Sequence, residues 1–561
     1  MNQLRLFQLP LLPLTPPGVA AGAVFTRPWV VSLILDLVGY TVDQDLAGKL
    51  IIEPSAGHGA FLGEIVRRLL ASCARRGLDV TVAANAILAC ELDARSAASA
   101  RSLATGLVAA SGSSQTDALE LGAAWVKTCD YLLECDPPAP ADFVVGNPPY
   151  IRLEDMEERA ARYRSEYPTM VGRADIYVAF LEAGLRQLAP GGKLGFICAD
   201  RWMRNQYGAG IRRFVTSGFA VNAIVEMHNA VAFDDDVSAY PAVVSLERSA
   251  QGPAVVAWAQ AGVEVTGGAR IARHLQAVRE HTSVPPLEGI SAARIDQWFT
   301  GDDPWPLVEP QRLALLRRLE RAFPSIEASG AVVGIGVATG ADGVFVTKDT
   351  QAVEADRLLP LAMAKDARGD AFAWSGHYLV NPWADHGLAD LNAFPRLRAY
   401  FERHACVLRA RHVARKGGGW FRTIDRVDTR LTSRSKLYLP DFAARSSPML
   451  DPGGTYPHHN VYFICSDVWD LQVLGGLLLS DIAQMYLEAF CVRMRGGYLR
   501  FQAQYLRRLR VPRPEALSEA LRGSLREAFV KRDTRLATQV AFEAYGLSEE
   551  DRHAVGSVCT L

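Results

Sequence analysis

Asn147-Pro148-Pro149-Tyr150 stands directly after the apolar run Phe143-Val144-Val145-Gly146. An amino group conjugated to an aromatic ring is planar and a poor nucleophile. Activating it requires acceptors that bind its hydrogens and free its lone pair. The Asn147 side-chain oxygen and the Pro148 carbonyl, on backbone stiffened by X-Pro bonds, can be two such acceptors aimed at one nitrogen. Tyr150 adds a face on which a flat base can stack. An ordinary Pro-Pro turn after a strand is the bland alternative. It accounts neither for Tyr150 nor for the ninety-position interval from Gly57 to Asn147.

That interval begins at Glu53-Pro54-Ser55-Ala56-Gly57-His58-Gly59, between an apolar run ending at Ile52 and a helical pattern from Phe61. A Gly-x-Gly turn lets a ligand approach the backbone at the carboxyl end of a first strand, where open sheets bind cofactors. Leu62 occupies the place of a third glycine and the Gly-Lys-Ser/Thr of a phosphate loop is missing, so neither nucleotide fingerprint is met. Glu53 points instead to a ligand with positive charge. Glu91, ending the next apolar run, can accept from both hydroxyls of a ribose. Asp130 can accept from an exocyclic amino group while Tyr131 stacks on a purine. Three acids in this order, each beside an apolar run, point to a nucleoside cofactor. His58 reads as a spacer. The eleven histidines include the adjacent pair His458-His459 and show no metal-ligand spacing, so no metal is assigned.

Positioning these groups takes a sheet. Lys49–Ile52, Ile87–Cys90, Asp142–Val145, Lys193–Cys198 and Ala242–Leu246 read as buried strands. Phe61–Arg76 and Ile176–Ala189 carry helical spacing, the latter ended by Pro190-Gly191-Gly192. The alternation predicts an α/β, doubly wound sheet. After about residue 250 the texture turns to Gly-rich and Arg-rich segments, which predicts a second domain of mixed α/β or α+β type. The expected organisation is an extension over 1–22, an α/β domain over 23–255, a second domain over 256–514 and a tail of one or two helices over 515–561.

At 561 residues, 49% hydrophobic and 22% charged, the chain is excluded from the disordered and disulfide-stapled classes. Nine cysteines without a C-x-x-C fit free thiols in a reducing cytosol. The apolar stretch Trp29–Leu35 stops at Asp36, too short for a membrane helix. Pro10, Pro13, Pro16 and Pro17 break any signal-like helix, leaving an extended lead-in. The net charge of −1 hides segregation. Ten Lys or Arg lie between Arg403 and Lys436, and seven Arg with no acid lie between Cys491 and Pro514, interleaved with Trp420, Phe421, Tyr498, Phe501 and Tyr505. One such run is usually a solvated face. Two in one half fit a polyanion surface, with Arg409, Arg411, Arg415, Lys416, Arg495, Arg500, Arg507 and Arg508 as candidates.

Glu53 to Leu62 followed by Asn147-Pro148-Pro149-Tyr150 resembles the gamma class of S-adenosylmethionine-dependent DNA adenine-N6 methyltransferases of restriction-modification and phage-defence systems. The resemblance covers the first 250 residues and implies a Rossmann-like methyltransferase sheet, a C-terminal target-recognition domain and duplex DNA as partner. It assigns Glu53, Pro54, Ala56, Gly57, Gly59, Glu91, Asp130, Tyr131 and Asn147 to S-adenosylmethionine, and Asn147, Pro148, Pro149 and Tyr150 to catalysis. Val24-Phe25-Thr26-Arg27-Pro28 is similar to the family's N-terminal cofactor motif, placing Thr26 near the methionine carboxylate. Asp175 to Leu181 is similar to the helix whose aromatic, Phe180, packs on the cofactor. Ala230 to Asp234 is similar to the loop whose phenylalanine, Phe233, stacks on a flipped adenine opposite Tyr150. The implied arrangement holds DNA in a cleft between the domains. A nuclease motif is missing beyond Pro440-Asp441, so a nuclease is expected to be separate or absent. The alternatives left open are methylation of an RNA amine or a protein glutamine amide, and a non-catalytic DNA-binding specificity subunit.

Overall fold

The computed structural model describes residues 25–151, 156–234, 240–415, 417, 419–494 and 497–556. They fall into two compact units, Met1–Pro310 and Gln311–Leu561. The lead-in expected over 1–22 lies outside the described residues.

The first unit is built on nine strands: β1 (Ile51–Glu53), β2 (Ile87–Glu91), β3 (Val126–Thr128), β4 (Ala141–Gly146), β5 (Leu188–Ala199), β6 (Ala220–Glu226), β7 (Pro241–Glu247), β8 (Ala254–Ala259) and β9 (Ile290–Ile295). They form one sheet in the order 3-2-1-4-5-7-6-8-9. β3, β2, β1, β4 and β5 run parallel, while β7 is antiparallel to both of its neighbours. The chain order reverses at β1, which lies between β2 and β4, and such a switch point opens a crevice at the carboxyl ends of the strands. The helices are α1 (Pro28–Val38), α2 (Ala60–Arg76), α3 (Ala94–Ala110), α4 (Gln115–Trp125), the one-turn α5 (Tyr131–Glu134), α6 (Glu157–Glu166), α7 (Tyr177–Gln187), α8 (Ala209–Gly218) and α9 (Gly268–Arg279). The apolar run at Trp29 belongs to α1, whose Val30, Leu33, Ile34 and Val38 are buried in the same core as α2 and the sheet.

Two expectations differ from this. Helix α7 ends at Gln187, and Pro190-Gly191-Gly192 lies within β5 rather than between a helix and a strand. The pairing of Leu188 with Ala141, followed by a register shift, absorbs the breaker residues as an irregularity of the ladder. The boundary read at 255 falls inside β8, which pairs with both β6 and β9. A composition change marked that position, but sheet pairing carries the first unit on past it.

The second unit contains a four-stranded antiparallel sheet of Ala331–Ile335, Val461–Ser466, Lys436–Pro440 and Met449–Asp451, in that order. A second four-stranded sheet and a short three-stranded one accompany it. The tail, expected as one or two helices, forms three, Glu519–Lys531, Thr534–Ala544 and Glu549–Gly556, because left-handed backbone at Arg532 and at Gly546 interrupts it twice. The first of them packs closely on Leu471–Leu479: a Cβ on Gly476 would lie 2.4 Å from the Leu525 carbonyl oxygen. Among the described residues no single helix is long and apolar enough to cross a membrane.

Candidate active site

The crevice at the switch point holds a cavity of about 410 Å³, a size suited to a small organic ligand. Its walls include Thr26, Glu53, Pro54, Ala56, Gly57, Glu91, Asp130, Tyr131, Asn147, Pro149 and Phe180. Residues from Phe25 to Phe180, 155 positions apart in the chain, thus meet in one place. Gly59, Pro148, Tyr150 and Phe233 are not on its walls.

The turn after β1 adopts the conformations that glycine permits. Gly57 has φ +53° and Gly59 φ +94°, and a Cβ on Gly59 would lie 2.8 Å from Leu103 Cδ2. The Gly57 amide donates to Glu91 Oε2 at 2.7 Å, and the Asp93 amide donates to Oε1 at 2.9 Å. Glu91 is therefore a brace between the ends of β1 and β2. Glu53 differs: it is 1% exposed, and its Oε2 has no hydrogen-bond partner. Burial, with the charge of Glu91 second, holds its carboxyl well above the usual range. A buried acceptor without a donor on a cavity wall fits a positively charged ligand group.

Asp130 caps α5, its Oδ1 accepting from the Leu132 amide at 3.0 Å. Tyr131 and Phe180 stack on one another, centroids 5.5 Å apart at 23°, and the Tyr131 hydroxyl donates to Gln187. Asn147 follows β4. Its Nδ2 donates to Thr26 Oγ1 at 3.2 Å, which fixes the amide's orientation, and its backbone carbonyl accepts from Ser55 Oγ at 3.0 Å. The glycine turn and the Asn-Pro-Pro segment are thereby tied to each other. Phe25 and Thr26 are held against the 232–234 loop: Arg27 N donates to Ala232 O at 3.0 Å and Asp234 N to Phe25 O at 3.1 Å. Phe233 is 6% exposed and meets Tyr150 edge to face, centroids 6.2 Å apart at 81°. The two rings are brought together, yet not as parallel faces.

The arginine candidates separate by what their donors already hold. Arg411 donates to the carbonyls of Thr339, Leu408, Trp420 and Arg422, and it lies over Phe345. It braces the loop at Thr339-Gly340 rather than facing outward. Arg507 is bonded to Glu327 and the Val333 carbonyl, Arg508 to Glu320, and Arg500 to Asp441. Arg409 lies over Trp420 at 4.8 Å and Arg415 is exposed. Lys416 and Arg495 lie outside the described residues.

Sequence spacing hid several neighbours. Ser55, Phe25, His58 and Tyr163 line the cavity or tie its parts, and His58 stacks on Phe25 at 5.5 Å. Asp342 joins His458 and His459, its Oδ2 being 3.1 Å from His458 Nε2. This Asp-His-His grouping is invisible in the histidine spacing because its acid lies 116 positions away. A second grouping, Asp200, Glu226 and His228, holds the Arg204 guanidinium 3.4 and 3.5 Å from its two carboxylates, where a cation would sit.

The family described as Eco57I restriction-modification methylase matches residues 139–233, from β4 through Phe233. The chain is 42% identical over 548 residues to the Type II methyltransferase M.PaeR7I of Pseudomonas aeruginosa, covering 96% of this chain and 94% of that one. To the Type II methyltransferase M.XhoI of Xanthomonas vasicola it is 42% identical, covering 96% and 99%. Among solved structures it resembles the Type IIL restriction-modification enzyme MmeI in complex with DNA, with a TM-score of 0.56 at 13% identity over 94% of this chain and 72% of that one. That likeness concerns the fold.

Proposed function

Since the chain belongs to the Type II restriction-modification methyltransferases, we propose that it transfers a methyl group from S-adenosylmethionine to N6 of an adenine rotated out of duplex DNA. The observation that carries this reading is the shared wall: Asn147, at the end of β4, lines the same cavity as the buried, unpartnered Glu53 oxygen. When bound, S-adenosylmethionine supplies an electrophilic methyl group. Glu53 holds its ammonium, Thr26 lies by its carboxylate, Glu91 braces the ribose side and Asp130 accepts from its exocyclic amine. Gly57 leaves the backbone open to close approach. Tyr131 and Phe180 close the apolar side.

The chain's own part in the chemistry is orientation. Asn147, its amide nitrogen bound to Thr26, offers its carbonyl oxygen to the target amino group, and the Pro148 carbonyl is the second acceptor. Together they turn the nitrogen lone pair toward the methyl donor, so placement and preorganised dipoles lower the barrier. Tyr150 stacks on the base, and Phe233 rotates from its edge contact to take the other face. In the second unit, Arg409 and Arg415, with Lys416 and Arg495, contact phosphates. The enzyme works in the cytoplasm and protects sites from a separate restriction endonuclease.

The test is incorporation of labelled methyl from S-adenosylmethionine into unmethylated duplex DNA, RNA and a protein extract, for wild type and Asn147→Ala. Label in DNA as N6-methyladenine, lost in the variant, supports the proposal. Label only in RNA or protein overturns the substrate. DNA binding without label would mark a specificity subunit instead.

A further inference from the structure

Asp130 is gripped from two sides. Its own turn takes Oδ1 through the Leu132 amide at 3.0 Å. Helix α6 takes Oδ2: the Tyr163 hydroxyl donates to it at 2.7 Å and Arg159 Nη1 at 3.3 Å. Tyr163 and Arg159 stand four positions apart, hence on one face of α6. Asp130 and Tyr163 are 6% and 1% exposed, while Arg159 reaches the carboxylate from the surface. Tyr163 remains a donor at neutral pH, because burial and the Asp130 charge push its hydroxyl up to about 12. A carboxylate offers about four lone-pair sites. The turn and α6 use three, so the site left, on Oδ1, has its direction set by the protein before any ligand arrives. Met156, which precedes α6, and Tyr163 line the cavity with Asp130, and α6 is the helix that follows the Asn147–Tyr150 segment.

We propose that Tyr163, supported by Arg159, is a positioning residue for cofactor recognition: it locks Asp130 so that its remaining lone pair selects a 6-aminopurine nucleoside over a 6-oxopurine one. This rests on the cofactor reading of the cavity. A 6-oxopurine would set a carbonyl oxygen against the fixed carboxylate, and a site built for a donor rejects a ligand that lacks one.

The test is calorimetric titration of the full chain with S-adenosylhomocysteine and with S-inosylhomocysteine, for wild type, Tyr163→Phe, Arg159→Lys and Arg159→Ala. Wild type should prefer the adenosyl ligand by about tenfold or more. Tyr163→Phe should lose about tenfold in adenosyl affinity with the inosyl affinity nearly unchanged, collapsing the preference. Arg159→Ala should show a smaller loss of the same kind, which Arg159→Lys restores. It also serves if Tyr163→Phe fails to fold, since Arg159 is largely at the surface. Equal weakening of both ligands, or unchanged preference in both Tyr163→Phe and Arg159→Ala, overturns the positioning role while the cofactor site stands. A wild type that binds neither ligand overturns the cofactor reading itself, and this inference with it.

Discussion

Glu53→Gln should separate stability from binding in opposite directions. The Glu53 carboxyl is 1% exposed with one oxygen unpartnered, and burial together with Glu91 raises its proton affinity. The folded state therefore keeps a proton that the unfolded chain has released above its ordinary value of 4.5. Folded-state stability falls as pH rises from that value toward the higher, folded one. At pH 8, where the unfolded chain's carboxyl is ionised, keeping the buried one protonated costs the fold on the order of 1–3 kcal/mol, and glutamine of nearly the same shape needs no such proton. The cofactor-free variant should melt higher by about 2 °C per kcal/mol in a unit of this size.

Binding should move the other way. Removing one partner of a buried ion pair costs roughly 3–5 kcal/mol, which is about a hundredfold to several thousandfold in affinity for S-adenosylmethionine. A melting scan at pH 8 with and without ligand reads both effects, and wild type alone should gain stability from the ligand. Ligand binding to wild type should also release a proton as Glu53 ionises, seen as a binding enthalpy that varies with the buffer's ionisation heat. Glu53→Gln should abolish that variation. A cofactor-free variant that melts below wild type at pH 8, or one that binds S-adenosylmethionine within threefold of wild type, would refute the assignment.

Further outcomes follow from geometry at the glycine turn, the arginines and Tyr150. Gly59→Ala should lower stability by about 1–3 kcal/mol, because its φ of +94° and the 2.8 Å approach to Leu103 both oppose a Cβ; denaturant titration measures it. Arg411→Ala should lower the melting temperature and leave the salt dependence of DNA binding unchanged, since its donors are bound to carbonyls. Arg409→Ala should reduce the slope of log affinity against log salt by about one, read by fluorescence anisotropy across a salt series. Tyr150→Phe should keep methyl transfer within a few fold, because the hydroxyl's contact with the Ile197 carbonyl is long at 3.5 Å. Tyr150→Ala, which removes the stacking face, should lose about 1–3 kcal/mol of base binding in a transfer assay at subsaturating DNA.

What could be read from the chain was whatever local stereochemistry decides. The glycine turn had to be glycine because its φ values are positive, and Glu53, Glu91 and Asp130 meet in one cavity because each ends or follows a strand of a parallel sheet. What could not be read depends on partners distant in sequence. Tyr163 sits in the polar stretch EERAARYRSE, where nothing marks a hydroxyl that meets an acid 33 positions earlier. Pro190-Gly191-Gly192 carries strong local stop signals, yet pairing with β4 on either side and backbone bonds from Gly191 and Gly192 to Arg248 hold the segment within a strand. The arginines show the limit most plainly. Counting charges between Arg403 and Lys436 locates a basic region, but a guanidinium acts on a partner only with donors it has not already committed. Arg411 and Arg409 are two residues apart and indistinguishable by composition. One is bonded to four backbone carbonyls while the other lies against an indole face. The salt slope of each variant measures that difference, which net charge conceals.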